Sequence, residues 1–252
     1  MPFLAALPPG YEAWSLATGG SVARRDVAAA VRAALEIHGT LYAWASTQSD
    51  RMTFAGRGEA YGVRLGGVPA VVRHARRGGY VIAPLLGDRF LGTPRFFREL
   101  RWSQRLSDAG ILTPRVLAGA WQRTGPVHRA DVATERIDGS DLATLFFATK
   151  PPQGEHRRAI LVAVARLVRR LHDAGIVHPD LQLRNVLVAT GADGPAAALL
   201  DVDTCRAAGG AAAAQRNLRR FYRSWEKWNR LSGALLTARD RADFEAGYGE
   251  AV

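Results

Sequence analysis

The sequence predicts an α+β chain in two parts, and three observations carry that reading. Short strand-like runs separated by glycine-rich turns fill the first half around one amphipathic helix. Long segments with helical apolar spacing fill the second half. Between them, Asp138-Gly139-Ser140 interrupts both patterns. At 252 residues and 48% hydrophobic content, the chain can build a sizeable core in one domain or two small lobes, and it is too apolar to be disordered.

The first helix is expected over Ser21 to His38: Ser21 can cap it, Val27, Val31, Ala34 and Leu35 share a face, and Gly39 stops it. From Leu41 the pattern turns to short strands, so residues 1–49 read as an N-terminal extension, helix plus strand, packed on the lobe that follows. Residues 50–137 form that first lobe. Its strands are Met52-Thr53-Phe54, Tyr61 to Leu65 and Pro69 to Arg73, with turns at Gly56-Arg57-Gly58 and Gly66-Gly67. Thr93-Pro94 opens a helix that runs to about Ala109 and closes at Gly110. Phe97, Leu100 and Leu106 give it an apolar face, and Glu99 lies near its middle. Strands Val116 to Gln122 and Asp131 to Ile137 follow, joined around Gly125. Residues 138–252 form the second lobe. It has a short helix from Asp141 to Phe147 and a long one from Glu155 to Asp173 with Ile160, Leu161, Val164, Leu167, Val168 and Leu171 inward. Two apolar runs near Val186 and Leu199 come next, then a helix from about Ala213 to Leu231.

Net charge is +11, and arginine supplies nearly all of the basic residues. That balance suits anionic partners: nucleotide, nucleic acid or a negatively charged membrane surface. Cys205 is the only cysteine, so no intrachain disulfide can form, which fits a reducing compartment. The start, Met1 to Pro9, lacks the basic region and apolar length of a signal peptide, and the most apolar helical stretch, Ala159 to Val168, is interrupted by Arg166. The expectation is a soluble or peripheral cytoplasmic protein.

The chemistry concentrates in His178-Pro179-Asp180-Leu181-Gln182-Leu183-Arg184-Asn185, which follows the long helix and precedes Val186-Leu187-Val188. A second apolar run then delivers Asp201-Val202-Asp203. This is the spacing H-x-D-L-x-x-x-N followed by a further Asp, the layout of a kinase catalytic loop. Phosphoryl transfer needs these groups: Asp180 to accept the proton of a hydroxyl, and Asn185 and Asp201 as hard oxygen ligands for Mg²⁺ beside ATP. The bland alternative, an Asp-capped turn between a helix and a strand, does not explain the second Asp. His178 reads as a structural tether of the loop. Asp203 either touches a second metal or caps the next turn.

Further candidates fall in the first lobe. Gly56, Gly58 and Gly62 lie between two strands, where a backbone without Cβ can approach phosphates, though an ordinary hairpin turn explains them about as well. Arg73 ends the third strand and can hold α- and β-phosphates with Glu99 as its partner, with Arg76 as the substitute. Glu135 to Gly139 reads as a hinge, with Glu135 and Ile137 at the nucleotide. The order of elements resembles the two-lobed protein-kinase-like fold.

More specifically, Gly56-Arg57-Gly58, Val72-Arg73-His74-Ala75-Arg76-Arg77-Gly78-Gly79, Asp88-Arg89-Phe90-Leu91, Arg98-Glu99-Leu100-Arg101, Arg129 to Ile137, the 178–185 loop and Leu200-Asp201-Val202-Asp203 resemble the bacterial 3-deoxy-D-manno-octulosonic acid (Kdo) kinases of the lipopolysaccharide kinase family. The resemblance spans roughly residues 50–248 and departs at Val202, where the family more often has Phe. It implies ATP-dependent phosphorylation of the 4-hydroxyl of Kdo on lipid A or its precursor, at the cytoplasmic face of the inner membrane of a Gram-negative bacterium. A second kinase reading is a small-molecule phosphotransferase of the aminoglycoside or choline type, or a kinase for another core sugar such as heptose. Protein kinase activity is disfavoured because no A-P-E segment is present and Pro179 replaces an arginine. A nucleic-acid-binding module would use the arginines but leaves the loop unexplained. No nucleic acid and no obligate protein partner is expected.

The helix from Ala213 to Leu231 interleaves Arg216, Arg219, Arg220, Arg223, Lys227 and Arg230 with Leu218, Phe221, Tyr222, Trp225 and Trp228. It reads either as a packed helix with a solvated arginine face or as a face that meets anionic lipid, with an aromatic residue at the interface.

Overall fold

The structure is a computed structural model and describes residues 7–54, 58–76, 87–191, 194–232 and 236–250. The chain divides into two compact units: residues 1–104 with 115–136, and residues 105–114 with 137–252.

The first unit is built on an antiparallel sheet. Its strands are β1 (Tyr11–Leu16), β2 (Gly19–Arg24), β3 (Met52–Phe54), β4 (Ala60–Leu65), β5 (Val68–His74), β6 (Phe90–Leu91), β7 (Val116–Thr124) and β8 (Val127–Glu135). They run in the order β1-β2-β7-β8-β5-β4-β3, with β6 also on β8. Alternating side chains divide between two cores. On one face α1 (Ala28–His38) and α2 (Leu41–Thr47) bury Val27, Val31, Leu35 and Leu41 against Val63, Leu65, Val72 and Ala133. On the other, α3 (Phe96–Asp108) sets Phe96, Phe97 and Leu100 against Val22, Trp121, Ala130 and Val132.

Two expectations for residues 1–49 are corrected. The helix expected from Ser21 begins at Ala28, because residues 19–24 form β2 beside β7. Gly19 and Gly20 permit that strand. A Cβ on Gly19 would fall 2.0 Å from the Trp121 carbonyl oxygen, and one on Gly20 2.6 Å from the Trp121 ring. Ser21 donates to Gly119 O at 3.1 Å and caps nothing. After Leu41, where strands were expected, α2 forms with Thr40 Oγ1 accepting from Ala43 N at 3.0 Å. The helix that carries Glu99 forms close to its expected bounds but begins at Phe96, which puts Glu99 in its first turn and not near its middle.

The second unit is mostly helical. Its elements are β9 (Ser140–Asp141), α4 (Leu142–Phe146), α5 (Gly154–Asp173), β10 (Ile176–Val177), β11 (Val186–Gly191), β12 (Gly194–Leu199), β13 (Arg206–Ala207), α6 (Ala211–Ser232) and α7 (Ala238–Glu250). α5 buries the seven apolar residues Ile160, Leu161, Val164, Ala165, Leu167, Val168 and Leu171. α7 lies along α5, and Gly247 lets the two helices approach: a Cβ there would be 3.0 Å from Val162 Cα. Arg157 holds α7 by its first turn, donating from Nε and Nη2 to Asp240 at 2.6 and 2.9 Å. Phe221 and Trp225 of α6 pack on Phe244 of α7. The hairpin β11–β12 connects the 178–185 loop to Asp201.

Candidate active site

The loop at 178–185 leaves β10 and ends in a single 3₁₀ turn, Leu183–Asn185, before β11. His178 is fully buried. Its Nε2 pairs with Leu200 O at 3.1 Å, and its Nδ1 has no partner among the described residues. Burial lowers the His178 pKa below its ordinary value, which keeps the ring neutral and makes Nε2–H the donor. The histidine is therefore a tether between the loop and the end of β12, as its position in the sequence suggested. Leu200 N donates to Asn185 O at 2.8 Å and closes a second link across the same gap.

These links bring Asn185 beside the chain that carries Asp201. Asn185 Nδ2 donates to Asp180 O at 2.8 Å, while its Oδ1 accepts no hydrogen bond among the described residues. Asp201 has φ 56 and ψ 42, the one non-glycine residue at positive φ among those described. That region is sparsely populated by side-chain-bearing residues, though Asp tolerates it better than most. Its exposed carboxylate makes no hydrogen bond or ion pair among the described residues. One amide oxygen and one carboxylate oxygen, both unengaged, form a donor set that fits Mg²⁺, with water and phosphate completing its shell. Asp203 is buried in the turn that follows. Cys205 is buried too, and burial pushes its thiol up to about 12, so it is unreactive near neutral pH.

One stripe of α6 supports the whole loop. Asn217 brackets His178: its Oδ1 accepts from His178 N at 3.1 Å and its Nδ2 donates to His178 O at 2.6 Å. Arg220 Nη2 donates to Asp180 Oδ1 at 2.6 Å. Ser224 Oγ accepts from Leu183 N at 3.2 Å. Arg184 lies over the Trp228 ring, 5.0 Å from its centroid. The spacing 217, 220, 224, 228 is one helical face, so four successive turns read the loop in chain order. Asp180 Oδ2 accepts from Gln182 Nε2 at 3.0 Å.

In the first unit, Arg73 at the end of β5 donates to Glu99 of α3 at 2.5 Å, the pair expected from the sequence. Arg76 runs along Gly58, where a Cβ would lie 3.0 Å from Arg76 Cδ. Gly62 belongs to β4 and not to the turn; a Cβ there would meet the Phe54 ring at 2.9 Å. Gly56 lies outside the described residues, as do Arg57 and Arg77-Gly78-Gly79. Glu135 ends β8, and its carboxylate is held by Arg24 Nη1 at 2.5 Å and Arg115 Nη2 at 2.8 Å. Burial works against that charge, but Arg115 and Arg24 outweigh it and keep the carboxyl below its ordinary range. Ile137 is half-buried at the start of the second unit.

Beside Arg73, His74 is gripped from both sides, by Asp131 at 2.6 Å through Nδ1 and by Asp88 at 3.0 Å through Nε2. Arg129 closes on Asp88 at 2.8 Å, and Tyr42 N donates to Asp131 at 2.8 Å. The hydrogen bond to Asp131 is the main reason the His74 pKa rises, against the opposing effect of burial, with Asp88 adding to it.

Sequence reasoning missed Asn217 and Ser224, because neutral polar residues on an arginine-rich helix look like solvated positions. It also placed Arg220 on a face open either to solvent or to anionic lipid, and the contact with Asp180 takes Arg220 out of that face. Trp228, one of the aromatic residues interleaved on this helix, stacks on Phe147 with centroids 5.2 Å apart. The signal that could have located all of these was the helical register of 217, 220, 224 and 228.

A tethered H-x-D-L-x-x-x-N loop, two unengaged metal-type oxygens and a strand arginine paired with a helix glutamate define a protein-kinase-like phosphotransferase. Residues 43–248 match the model of the lipopolysaccharide kinase (Kdo/WaaP) family, and the chain belongs to that family. A 3-deoxy-D-manno-octulosonic acid kinase of Haemophilus influenzae (strain PittEE) is 34% identical over 202 residues, covering 77% of this chain and 82% of the relative. A second, from Actinobacillus succinogenes, is 34% identical over 191 residues, covering 74% and 78%. A third, from Vibrio parahaemolyticus, is 28% identical over 207 residues, covering 77% and 83%. Among solved structures, WaaP in complex with acyl carrier protein shares the fold, with a TM-score of 0.52 and 24% identity over 78% of this chain and 77% of that one. The chain is a kinase with the two-lobed α+β fold expected from its sequence.

Proposed function

We propose that this kinase transfers the γ-phosphoryl group of ATP to the 4-hydroxyl of a Kdo residue on lipid A or its precursor, a step in building the lipopolysaccharide core. The observation that carries the reading is the loop held by α6, with Asp180 exposed enough to meet a hydroxyl and Asn185 Oδ1 and Asp201 unengaged beside it. Membership of a lipopolysaccharide kinase family whose relatives are Kdo kinases supports the choice of acceptor.

In this reading Asp180 takes the acceptor hydroxyl proton. The acceptor oxygen bonds to the γ-phosphorus as the bond to the β–γ bridging oxygen breaks, and ADP leaves. Arg73, steadied by Glu99, holds the α- and β-phosphates with its fork. The glycines at 56 and 58 bring backbone N–H groups to the phosphates, and the chain at Glu135 and Ile137 borders the base. Gly62 acts through packing under Phe54. Mg²⁺ held by Asn185 and Asp201 would neutralise charge on the phosphates.

The work is proposed to occur at the cytoplasmic face of the inner membrane. No helix among the described residues is long and apolar enough to cross a membrane. Arg216, Arg219, Arg223, Lys227 and Arg230 on α6 are exposed and face no carboxylate among the described residues. Each basic group close to an anionic bilayer contributes about 1 kcal/mol, so several make a reversible attachment. Replacing Arg219, Arg223 and Arg230 by Gln, with Arg220 left intact, should abolish salt-sensitive binding to vesicles containing anionic lipid; unchanged binding refutes the attachment.

Mass spectrometry of a Kdo-lipid A precursor incubated with the enzyme and Mg-ATP tests the acceptor. The expected product carries one additional phosphate on Kdo. ATP turnover with no phosphate on the glycolipid would overturn the assignment.

A further inference from the structure

Among the described residues, Arg220 is the one basic residue of α6 that faces a carboxylate, and the carboxylate is that of Asp180. The contact uses a single nitrogen, Nη2 to Oδ1 at 2.6 Å. The remaining guanidinium N–H groups have no hydrogen-bond partner among the described residues. The pair is also accessible, with side-chain exposures of 29% for Arg220 and 38% for Asp180. A guanidinium at a carboxylate more often binds with two parallel hydrogen bonds, so this one keeps part of its fork open beside the catalytic loop.

The contact conflicts with the role proposed for Asp180. Oδ1 is occupied by Arg220, and Oδ2 by Gln182 at 3.0 Å with a longer contact from Asn185 Nδ2 at 3.4 Å. A base that receives a hydroxyl proton must present an oxygen at hydrogen-bonding distance from that hydroxyl. The hydroxyl therefore competes with one of these donors. Gln182 and Asn185 are neutral and belong to the same loop. Arg220 is charged and on another element, and it can exchange one anion for another without losing its charge partner.

Resting on the Kdo reading above, we propose that Arg220 binds the carboxylate of the acceptor sugar acid, and that the Arg220–Asp180 pair is the resting form which the acceptor opens. The acceptor supplies both groups the site needs. Its carboxylate takes the guanidinium fork, and one hydroxyl of the same sugar takes the Asp180 Oδ1 that Arg220 releases. Because the two contacting atoms are 2.6 Å apart in the resting form, one sugar can reach both residues together. Arg220 is then never left as an uncompensated cation, and an alcohol without a carboxylate lacks the means to free the base. Arg220 thus selects acidic sugars over neutral ones at the step of acceptor binding.

The experiment compares a water-soluble Kdo glycoside with its carboxyl methyl ester, using the full chain and saturating Mg-ATP. Wild-type enzyme should favour the acid on the order of 10–100-fold in kcat/KM, the range for a hydrogen bond to a charged group, with most of the difference in acceptor KM. In Arg220→Gln the acid-to-ester ratio should fall to about one. In Arg220→Lys it should be intermediate, because the charge remains and the fork is lost. KM for ATP should not move in either variant.

An Arg220→Gln enzyme that keeps the wild-type preference for the acid overturns the inference. So does an equal loss of kcat on both acceptors with the ratio unchanged, which would make Arg220 only a positioning residue for Asp180. Should Arg220→Gln fail to fold, Arg220→Lys and the wild-type ratio carry the test, and an unchanged ratio in Arg220→Lys or no wild-type preference for the acid rejects the inference. Wild-type enzyme that phosphorylates acid and ester equally would refute the role of Arg220 and leave the Kdo assignment standing. Wild-type enzyme that phosphorylates neither the glycoside nor the glycolipid would refute the Kdo assignment itself.

Discussion

Around Arg73 in the first unit, charged side chains neutralise one another, whereas the catalytic loop in the second unit is held almost entirely by neutral groups. Arg73 meets Glu99, Glu135 sits between Arg24 and Arg115, and His74 bridges Asp131 and Asp88 with Arg129 behind. The 178–185 loop is fixed instead by the Asn217 amide, the Ser224 hydroxyl, a neutral imidazole and backbone hydrogen bonds. The difference follows from what each region has to offer a ligand. In the proposed function Arg73 binds phosphate, and such a cation needs a counter-charge to fix its direction before the nucleotide arrives. The loop has a single carboxylate, Asp180, whose charged partner is Arg220 of α6, and its backbone is held by groups that add no further charge there. Neutral hydrogen bonds do this, since they fix the backbone without competing for charge.

The comparison can be broken at its most consequential residue. Asp180→Asn is nearly isosteric, keeps the loop and its supports, and should lower turnover by about 10²–10⁴-fold. Turnover close to wild type would remove Asp180 from the chemistry. In the first unit, Arg73→Ala should reduce ATP-dependent activity on the order of 10–100-fold, and Arg73→Lys should retain part of it. Should Arg76→Ala be the inactive variant while Arg73→Ala works, the phosphate contact belongs to the residue beside Gly58.

The neutral supports are sharpened by Asn217→Ala, which leaves the buried backbone N–H and C=O of His178 without their partner. Urea unfolding should show a loss of about 2 kcal/mol, together with reduced turnover. Full stability would mean that α6 only accompanies the loop. The smallest effect concerns His74. Its pKa is raised in the folded state, chiefly by Asp131, so the stability it contributes is fully present below the ordinary histidine value and is lost as pH rises through its folded value. The stability difference between wild type and His74→Gln should therefore be larger near about pH 6 than near about pH 9. A difference independent of pH would show that His74 is not held as a cation.

The legible part of this architecture was the part encoded locally. The 178–185 loop and Asp201 could be read because the motif and its flanking apolar runs lie within one stretch of chain. Arg73 and Glu99 could be read because a strand end and an amphipathic helix fix both positions. The β1–β2 hairpin could not, since what makes Gly19-Gly20 a strand is the Trp121 ring and carbonyl a hundred positions away in sequence. Helix α2 was hidden for a different reason: a short segment rich in Tyr, Trp and Thr has strand-like propensity, and the Thr40 cap and packing against the sheet overrode it. The contact of Arg220 with the loop was not legible, because charge on a helix reads as solvated until the loop it faces is known.

The central claim is that Asn185 Oδ1 and the Asp201 carboxylate are left unengaged in order to hold the metal of phosphoryl transfer. Asp201→Asn tests it most directly, because Asn also tolerates the left-handed backbone at this position while removing only the charge. Activity is measured across a Mg²⁺ titration at fixed ATP and acceptor. The account predicts that the variant needs substantially more Mg²⁺ than wild type and reaches a lower plateau. A titration superimposable on that of the wild type would contradict it.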